Sequence, residues 1–344
     1  MTKFSFQKPL KSILYLQALR SNKEMYTKVI GQTFTGGHPG NDINFGDKQP
    51  VFNLMQGVVI YTQQDTIVVL GDADSQGNCL EINYAHMERQ QVKVGDRVKV
   101  GDILGYQDSM GSSIFRDDTQ KVSWSHLHLG IREAKLGTKI PKNYFWNYQA
   151  FSSIPYNVIE YDETIEHFRD PNNYCQQVVY LIAKAIERKE NYKKYHKDTN
   201  NPGNIRGVDG KFLRFKTYEE GFEHLVNYLI NAVNGKHKSY TKAKTILDFI
   251  NIYAPSYDNN NSLKYAQDIV KWVGLNSIND SIKDWLLTEL EWIRKYNNAE
   301  QIIYPKQYGE KDSQTNQVIP AVEISLFNAL SERFKWLWSK LFGK

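Results

Sequence analysis

Three short motifs decide the reading of this chain: Gly36-Gly-His38-Pro-Gly-Asn-Asp42, Tyr84-Ala-His86-Met87 and Ser125-His126-Leu-His128-Leu129. Four of the chain's eight histidines fall in them, and an aspartate stands four residues after the first. Side chains alternate along a strand, so His126 and His128 are expected on one face while Leu127 and Leu129 enter a core. His38 and Asp42 can meet on a loop, since Pro39-Gly40 argues against a helix between them. A catalytic zinc takes three protein ligands, nitrogen donors at ~2.0–2.1 Å, and keeps its fourth position for a water whose pKa it lowers. Two histidines and the aspartate suffice as ligands, and the remaining two histidines can handle protons. One imidazole of the His-x-His pair can bind metal while the other sits beside the open position. The combination predicts a zinc-dependent hydrolase.

The segment around these motifs, from about 31 to 135, has the texture of β-structure, with short apolar runs broken by Gly, Asp and Asn. Expected strands are 51–61, 66–71, 79–86, 92–94, 98–100, 103–107 and 125–132. Val92-Lys-Val-Gly-Asp96 recurs as Val98-Lys-Val-Gly-Asp102, which predicts two Val-x-Val strands, each ended by a Gly-Asp turn. Taken together, Gly-His38-Pro-Gly-Asn-Asp42, Tyr84-Ala-His86-Met, the doubled Val-x-Val-Gly-Asp run ending at Gly105, and His126-Leu-His128 resemble the lysostaphin-type (LytM-like) peptidoglycan endopeptidases. The resemblance covers about 31–135. It implies zinc ligands at His38, Asp42 and His128. It also implies His86 and His126 as the pair that orients and deprotonates water and steadies the oxyanion, with cleavage of a stem or cross-bridge peptide bond in a groove on an antiparallel sheet. One departure stands out. Gly111-Ser112-Ser113 is followed by a charged insert, Ile114–Trp124, and Ser125 stands where the family's pattern has proline. The insert is expected on a groove wall.

Beyond a connector rich in aromatics (Tyr144, Phe145, Trp146, Tyr148, Phe151), the texture turns helical. Helices are expected over 174–195, 218–232, 241–253, 262–273 and 278–296, with a hard turn at Asn200-Asn-Pro-Gly-Asn204 and a short strand at 212–215. Ile182, Ile186 and Glu190 are four apart, so a carboxyl ends an apolar helix stripe. Desolvation there would favour a general acid. Glu187 lies off that stripe. Ala185-Ile-x-x-x-Glu190-x-Tyr192, Asn200-Asn-Pro-Gly-Asn-Ile-Arg206, Phe215-Lys-Thr-Tyr-x-x-Gly221-Phe and Thr245-Ile-Leu-x-Phe-Ile-x-x-Tyr-Ala-Pro255, with Tyr265 and Gly274 downstream, resemble the lysozyme-like modules of phage virion lysins. That resemblance covers about 174–275 and implies an α-rich fold that binds, and can cleave, the glycan strand with Glu190 as the acid. Asn191 stands where the family has glycine. Asp209 and Glu219 are available as second carboxylates, and a transglycosylase needs only one acid.

The expected architecture is α+β and multidomain. It comprises a lead-in (1–30) carrying one short helix or strand, an antiparallel β-sheet endopeptidase domain (31–150), a linker (151–170), an α-helical lysozyme-like domain (171–298), a second linker (299–319) and an amphipathic C-terminal helix (320–344). The terminal stripe of Ile324, Phe327, Leu330, Phe334, Leu337 and Leu341 is flanked by Trp336, Trp338 and lysines. It can pack on the lysozyme-like domain, lie on a membrane or dock to a partner assembly. The net charge of +5 favours a polyanionic surface, but no long Lys/Arg block makes a nucleic-acid footprint. The two cysteines, Cys79 and Cys175, are expected to be free. No convincing signal peptide and no ~20-residue apolar span are present. The predicted function is a peptidoglycan hydrolase acting on stem or cross-bridge peptides through Zn2+, with a second domain that binds or cleaves the glycan strand. Its expected setting is a phage tail or injection apparatus acting in the cell wall or periplasm, then an endolysin. The other class is a structural or wall-binding protein of the same folds with one or both sites silent.

Overall fold

A computed structural model describes residues 3–18, 20, 38, 40–63, 65–107, 125–135, 140–141, 158–159, 168–190 and 198–298. The insert 114–124, the connector aromatics, the linker 299–319 and the terminal segment 320–344 lie outside the described residues. The alternation around His128 sets the centre of the fold. Strand β10 (Leu127–Lys135) pairs antiparallel with β6 (Asn78–Ala85), with His128 opposite Ala85, Gly130 opposite Asn83 and Arg132 opposite Glu81. Leu127, Leu129 and Ile131 take the other face, where they are buried with Leu80, Ile82 and Tyr84.

Around this pair the sheet is built from β1 (Leu14–Gln17), β2 (Asn41–Asn44), β10, β6, β5 (Thr66–Gly71), β4 (Gly57–Gln63) and β8 (Arg97–Val98), in that order, with β13 (Phe168–Arg169) also on β10. A second sheet orders β3 (Pro50–Phe52), β9 (Ile103–Gln107) and β7 (Met87–Glu88). All pairings in these two sheets are antiparallel. A separate short pair, β11 (Ile140–Pro141) with β12 (Val158–Ile159), is parallel. Arg132 Nη2 donates to both Glu81 carboxylate oxygens, at 2.7 and 2.8 Å, with both side chains buried on the face that carries His128.

The Val-x-Val repeat takes a different form from the one expected. Residues 92–94 and 99–100 are not strands, and only Arg97–Val98 pairs. What repeats is a turn. Lys93 N–H bonds to the Asp96 carboxylate at 3.0 Å and Lys99 N–H to that of Asp102 at 2.7 Å, with Gly95 and Gly101 at φ of +93° and +88°. The aspartate side chains capture backbone donors that a strand would have spent on a ladder.

The lead-in's expected short element resolves into a 3-10 turn, Leu10–Ser12, followed by β1. Leu10, Ile13, Tyr15 and Leu16 are buried, which explains why the segment adheres to the sheet. The helical half follows as α1 (Val178–Lys189), α2 (Tyr218–Val233), α3 (Ile246–Tyr253), α4 (Ser262–Val273) and α5 (Glu289–Asn297). Three expected helices are shorter. The segment from 174 begins as a 3-10 turn, Pro171–Tyr174, before α1. The 241–253 helix starts only where Thr245 and Asp248 form a capping box. The 278–296 segment breaks into a 3-10 piece, Ile282–Leu286, and α5, because Thr288 and Glu291 form a second capping box. The expected strand at 212–215 is a single bridge between Arg206 and Phe212.

Met1–Glu300 form one compact unit, with helical and β halves sharing one core. The Tyr174 hydroxyl donates to Glu133 of β10 at 2.7 Å. At the base of α5, Glu289 is fully buried and accepts the Phe6 backbone N–H at 3.0 Å, tying the N-terminal segment to the last helix. Burial pushes its carboxyl up to about 7, although Ser5 and Phe6 hydrogen bonds oppose this. Cys79 and Cys175 are free and buried.

Candidate metal centre and active site

His128 and Asp42 face each other across the β10–β2 pairing, and His38 stands on the chain just before β2. Three donor atoms converge there. His38 Nε2 lies 3.0 Å from His128 Nδ1, His38 Nε2 lies 3.1 Å from Asp42 Oδ1, and His128 Nδ1 lies 3.1 Å from the same oxygen. Donors at zinc-ligand distances in a tetrahedron are roughly 3.3 Å apart, so this cluster is nearly the size of a zinc triad. All three side chains are buried, and they form the one His/Cys/Asp/Glu group of metal-binding geometry among the described residues.

The chemistry of the set also fits a metal. His38 Nδ1–H donates to the Ala18 carbonyl at 3.2 Å, leaving the Nε2 lone pair turned to the cluster. Burial, opposed by the hydrogen bond to Asp42, lowers His128 to about 4, so its imidazole is neutral across the physiological range. For Asp42, burial acts upward, but the His38 and His126 imidazoles and the hydrogen bonds of His128 and His38 outweigh it and hold the carboxyl well below its usual range. A neutral imidazole and an ionised carboxylate are the forms that bind zinc. Gly40 makes room for this packing. A Cβ there would sit 2.5 Å from the Leu129 carbonyl oxygen and 2.8 Å from His128 Nε2.

The second pair flanks the cluster. The His86 and His126 rings are 4.7 Å apart, His86 is 6.2 Å from His128, and His126 Nε2 lies 3.6 Å from Asp42 Oδ2. His86 follows β6 in a left-handed backbone conformation, φ +63°, which costs a non-glycine residue about 1–2 kcal/mol. Sequence reasoning missed its partner, Asp65, in the β4–β5 turn. Asp65 Oδ2 lies 3.0 Å from His86 Nδ1, and the Asp65 carbonyl accepts Met87 N–H at 2.8 Å. Burial acts to raise Asp65, but the hydrogen bond and charge of His86 hold it low. Gln107 was missed as well. Its amide N–H groups reach Asn44 Oδ1 (2.9 Å), the Gly46 carbonyl (3.0 Å) and Ser125 Oγ (2.8 Å), and its oxygen accepts Phe45 N–H (2.8 Å). Ser125, in the place of the expected proline, thus anchors the start of the His-x-His strand.

In the helical half, Glu190 caps the C-terminal end of α1, in line with buried Ile182 and Ile186. Tyr265 Oη donates to Glu190 Oε1 at 2.6 Å and Asn204 Nδ2 to Oε2 at 2.6 Å. The Asn200–Asn204 turn sets Asn204. Asn201 bonds the Ile205 and Leu213 carbonyls at 2.9 and 3.1 Å, and Tyr253 Oη donates to the Gly203 carbonyl. Burial raises the Tyr265 and Tyr253 phenols well above their ordinary value, and neighbouring tyrosines and Glu190 add to it, so both remain donors. Glu187 instead engages Tyr218 at 2.9 Å and Lys184 at 3.2 Å. Asp209 and Glu219 are exposed.

With this geometry established, comparison with known proteins gives one family. The description "Peptidase family M23" matches residues 36–140. Among solved structures, the catalytic domain of the antimicrobial peptidase lysostaphin from Staphylococcus simulans aligns at 25% identity and TM-score 0.24, over 34% of this chain and 76% of that one. The catalytic domain of a point mutant of the prophage-encoded M23 protein EnpA from Enterococcus faecalis aligns at 21% identity and TM-score 0.26, over 36% and 82%. Of another lysostaphin structure, aligned at 21% identity and TM-score 0.28, the match takes in 47% of that chain and 38% of this one, so this chain spans about half its length. No curated protein matches the chain. Among the described residues, no helix is long and apolar enough to cross a membrane. Peptidases of family M23 depend on zinc, and residues 36–140, with a possible metal site at His38, Asp42 and His128, are a peptidase domain of that family.

Proposed function

We propose that this protein is a zinc metalloendopeptidase that cuts stem or cross-bridge peptide bonds of bacterial peptidoglycan. The observation that carries the reading is the convergence of three buried donors within 3.0–3.1 Å, flanked by two further histidines. His38, Asp42 and His128 would hold the metal, and zinc bound there supplies Lewis acidity and a coordinated water whose pKa falls to about 7. His38 is kept in its ligand tautomer by Ala18, and His128 is kept neutral by burial. His86 and His126 work at the open side of the cluster. One imidazole takes a proton on its ring nitrogen and the other, as donor, steadies charge developing on the peptide carbonyl oxygen.

His128→Ala removes one of three ligands. It should abolish zinc content in the purified protein and reduce to background the new peptide ends that mass spectrometry finds in digested sacculi. Wall-peptide cleavage by a zinc-free His128→Ala protein would sink the mechanism. About one zinc per wild-type chain favours the enzyme, and none on a folded protein favours a structural or wall-binding role.

For the helical half, we infer a lysozyme-like module that engages the glycan strand, with Glu190 as the acid of a muramidase or transglycosylase. The supporting observation is a half-buried carboxylate at the end of an apolar helix stripe, held on both oxygens by Tyr265 and Asn204. New sugar ends or anhydro-sugars in the same digests are its readout. Delivery as part of a phage tail or injection apparatus, docked through residues 320–344, completes the reading.

A further inference from the structure

The two flanking histidines are not held alike. His86 has a carboxylate behind it, since Asp65 Oδ2 is 3.0 Å from Nδ1, and His126 Nε2 lies 3.6 Å from Asp42 Oδ2, a carboxylate of the donor cluster. Asp65 is built to stay where it is. It sits in the turn between β4 and β5, its carboxylate also accepts the Thr66 hydroxyl at 3.1 Å, and its carbonyl takes the Met87 N–H at 2.8 Å. That last bond clamps the residue just after His86, where the chain turns through φ +63°. The same aspartate therefore fixes both the backbone that carries His86 and the ring's rotation.

We propose that Asp65 is a positioning residue that locks His86 in the Nδ1–H tautomer and so makes His86 the proton-accepting member of the pair. A carboxylate against Nδ1 demands an N–H there, so the imidazole lone pair lies on Nε2, across the ring from Asp65. A carboxylate–imidazole pair holds the ring in one orientation and stabilises the imidazolium that forms when Nε2 takes a proton. His126 is left to the donor's part, toward developing oxyanion charge. The inference rests on the endopeptidase reading for its catalytic meaning, but the tautomer is a property of the folded chain alone.

The test uses the full-length zinc-loaded protein, 15N-labelled at histidine, with Asp65→Ala and Asp65→Asn. His86 of the wild type should show a protonated Nδ1 and a bare Nε2, and Asp65→Ala should lose that signature. On purified sacculi, Asp65→Ala should release new peptide ends at a saturating rate roughly 10- to 100-fold lower, with half-saturation and zinc stoichiometry unchanged. Asp65→Asn keeps nearly the same volume but removes the charge and can turn an N–H toward the ring, so it should fold, load zinc, and still lose the Nδ1–H signal and most of the rate. A wild-type His86 protonated on Nε2, an Asp65→Ala protein with full zinc and wild-type rate, or an Asp65→Asn protein that keeps both the Nδ1–H signal and the wild-type rate would each overturn the proposal. If the wild type cuts no wall peptide, the endopeptidase reading fails, and the nitrogen signals still decide whether Asp65 sets the tautomer.

Discussion

The two halves of this molecule assemble polar side chains in opposite ways. In the β half, residues from two separate stretches converge on a point, and the donor atoms of His38, Asp42 and His128 face one another at 3.0–3.1 Å. Such a cluster of lone pairs is satisfied by a cation that none of its members provides. In the helical half, one carboxylate, Glu190, is satisfied from within the chain by Tyr265 and Asn204. The first arrangement is a possible metal site, its donors at nearly the spacing of a zinc triad. The second is complete as a hydrogen-bonded unit, so any chemistry it performs must begin by exchanging one of those donors for substrate. The first half therefore reports the class of its ligand through its geometry, whereas the second does not.

The substitution that breaks this comparison most sharply is Glu190→Gln. If Glu190 is the acid, new sugar ends in digested sacculi should fall to background while peptide ends stay within about twofold of wild type, because the metal cluster is untouched. Unchanged sugar ends, or none from the wild type, would leave the helical half as a binding or packing module. The amide that replaces the carboxylate can still accept one of the two bonds, so thermal stability serves as the control for folding.

Gly40→Ala tests the other half at a position that carries no metal donor. The new Cβ would sit 2.5 Å from a backbone oxygen of the His128 strand, and backbone cannot yield as a flexible side-chain end can. The β2–β10 register beside Asp42 and His128 should shift, and zinc affinity and peptide cleavage should both fall roughly 10- to 100-fold, the loss typical of disturbed support around metal ligands. Zinc titration checks it. Wild-type affinity would mean that the cluster tolerates movement its tight spacing does not suggest.

Most of the β half was legible because its chemistry follows short-range rules. His-x-His needs only the two-residue period of a strand, and His38 with Asp42 needs only a loop. The Val-x-Val run misled because Asp96 and Asp102 bond backward to Lys93 and Lys99, and this turn chemistry outweighs the strand preference of valine. Asp65 was invisible because it reaches His86 through the β4–β5 hairpin and a left-handed bend, neither of which leaves a local pattern. Gln107 was missed because its four bonds join three stretches that are distant in sequence. In the helical half, the place of Glu190 at the end of a stripe was readable from the fourfold spacing. Its partner Tyr265, 75 residues away, could be set against it only by the folded chain.

The smallest expected effect lies where the two halves are joined. Glu289 is buried at the start of α5 and holds the Phe6 N–H of the N-terminal segment, which continues through β1 to the strand that carries Asp42. Burial lifts its carboxyl from an ordinary 4.5 to about 7. Between those values the folded chain keeps a proton that the unfolded chain has released. The contribution is thus fully present below pH 4.5 and is lost as pH rises through 7, by roughly 3 kcal/mol in all. Glu289→Gln keeps an oxygen for Phe6 and removes the titration. Relative to wild type, its melting temperature should gain little at about pH 5 and rise by a few degrees at about pH 8, with the difference growing between those limits. A difference that is flat with pH would show that Glu289 stays ionised in the folded state. A difference that opens only as pH falls below about 4.5 would show that the carboxylate, rather than the carboxylic acid, joins the N-terminal segment to the helices. In either case the sheet edge beside the metal cluster would depend less on pH than burial of this group implies.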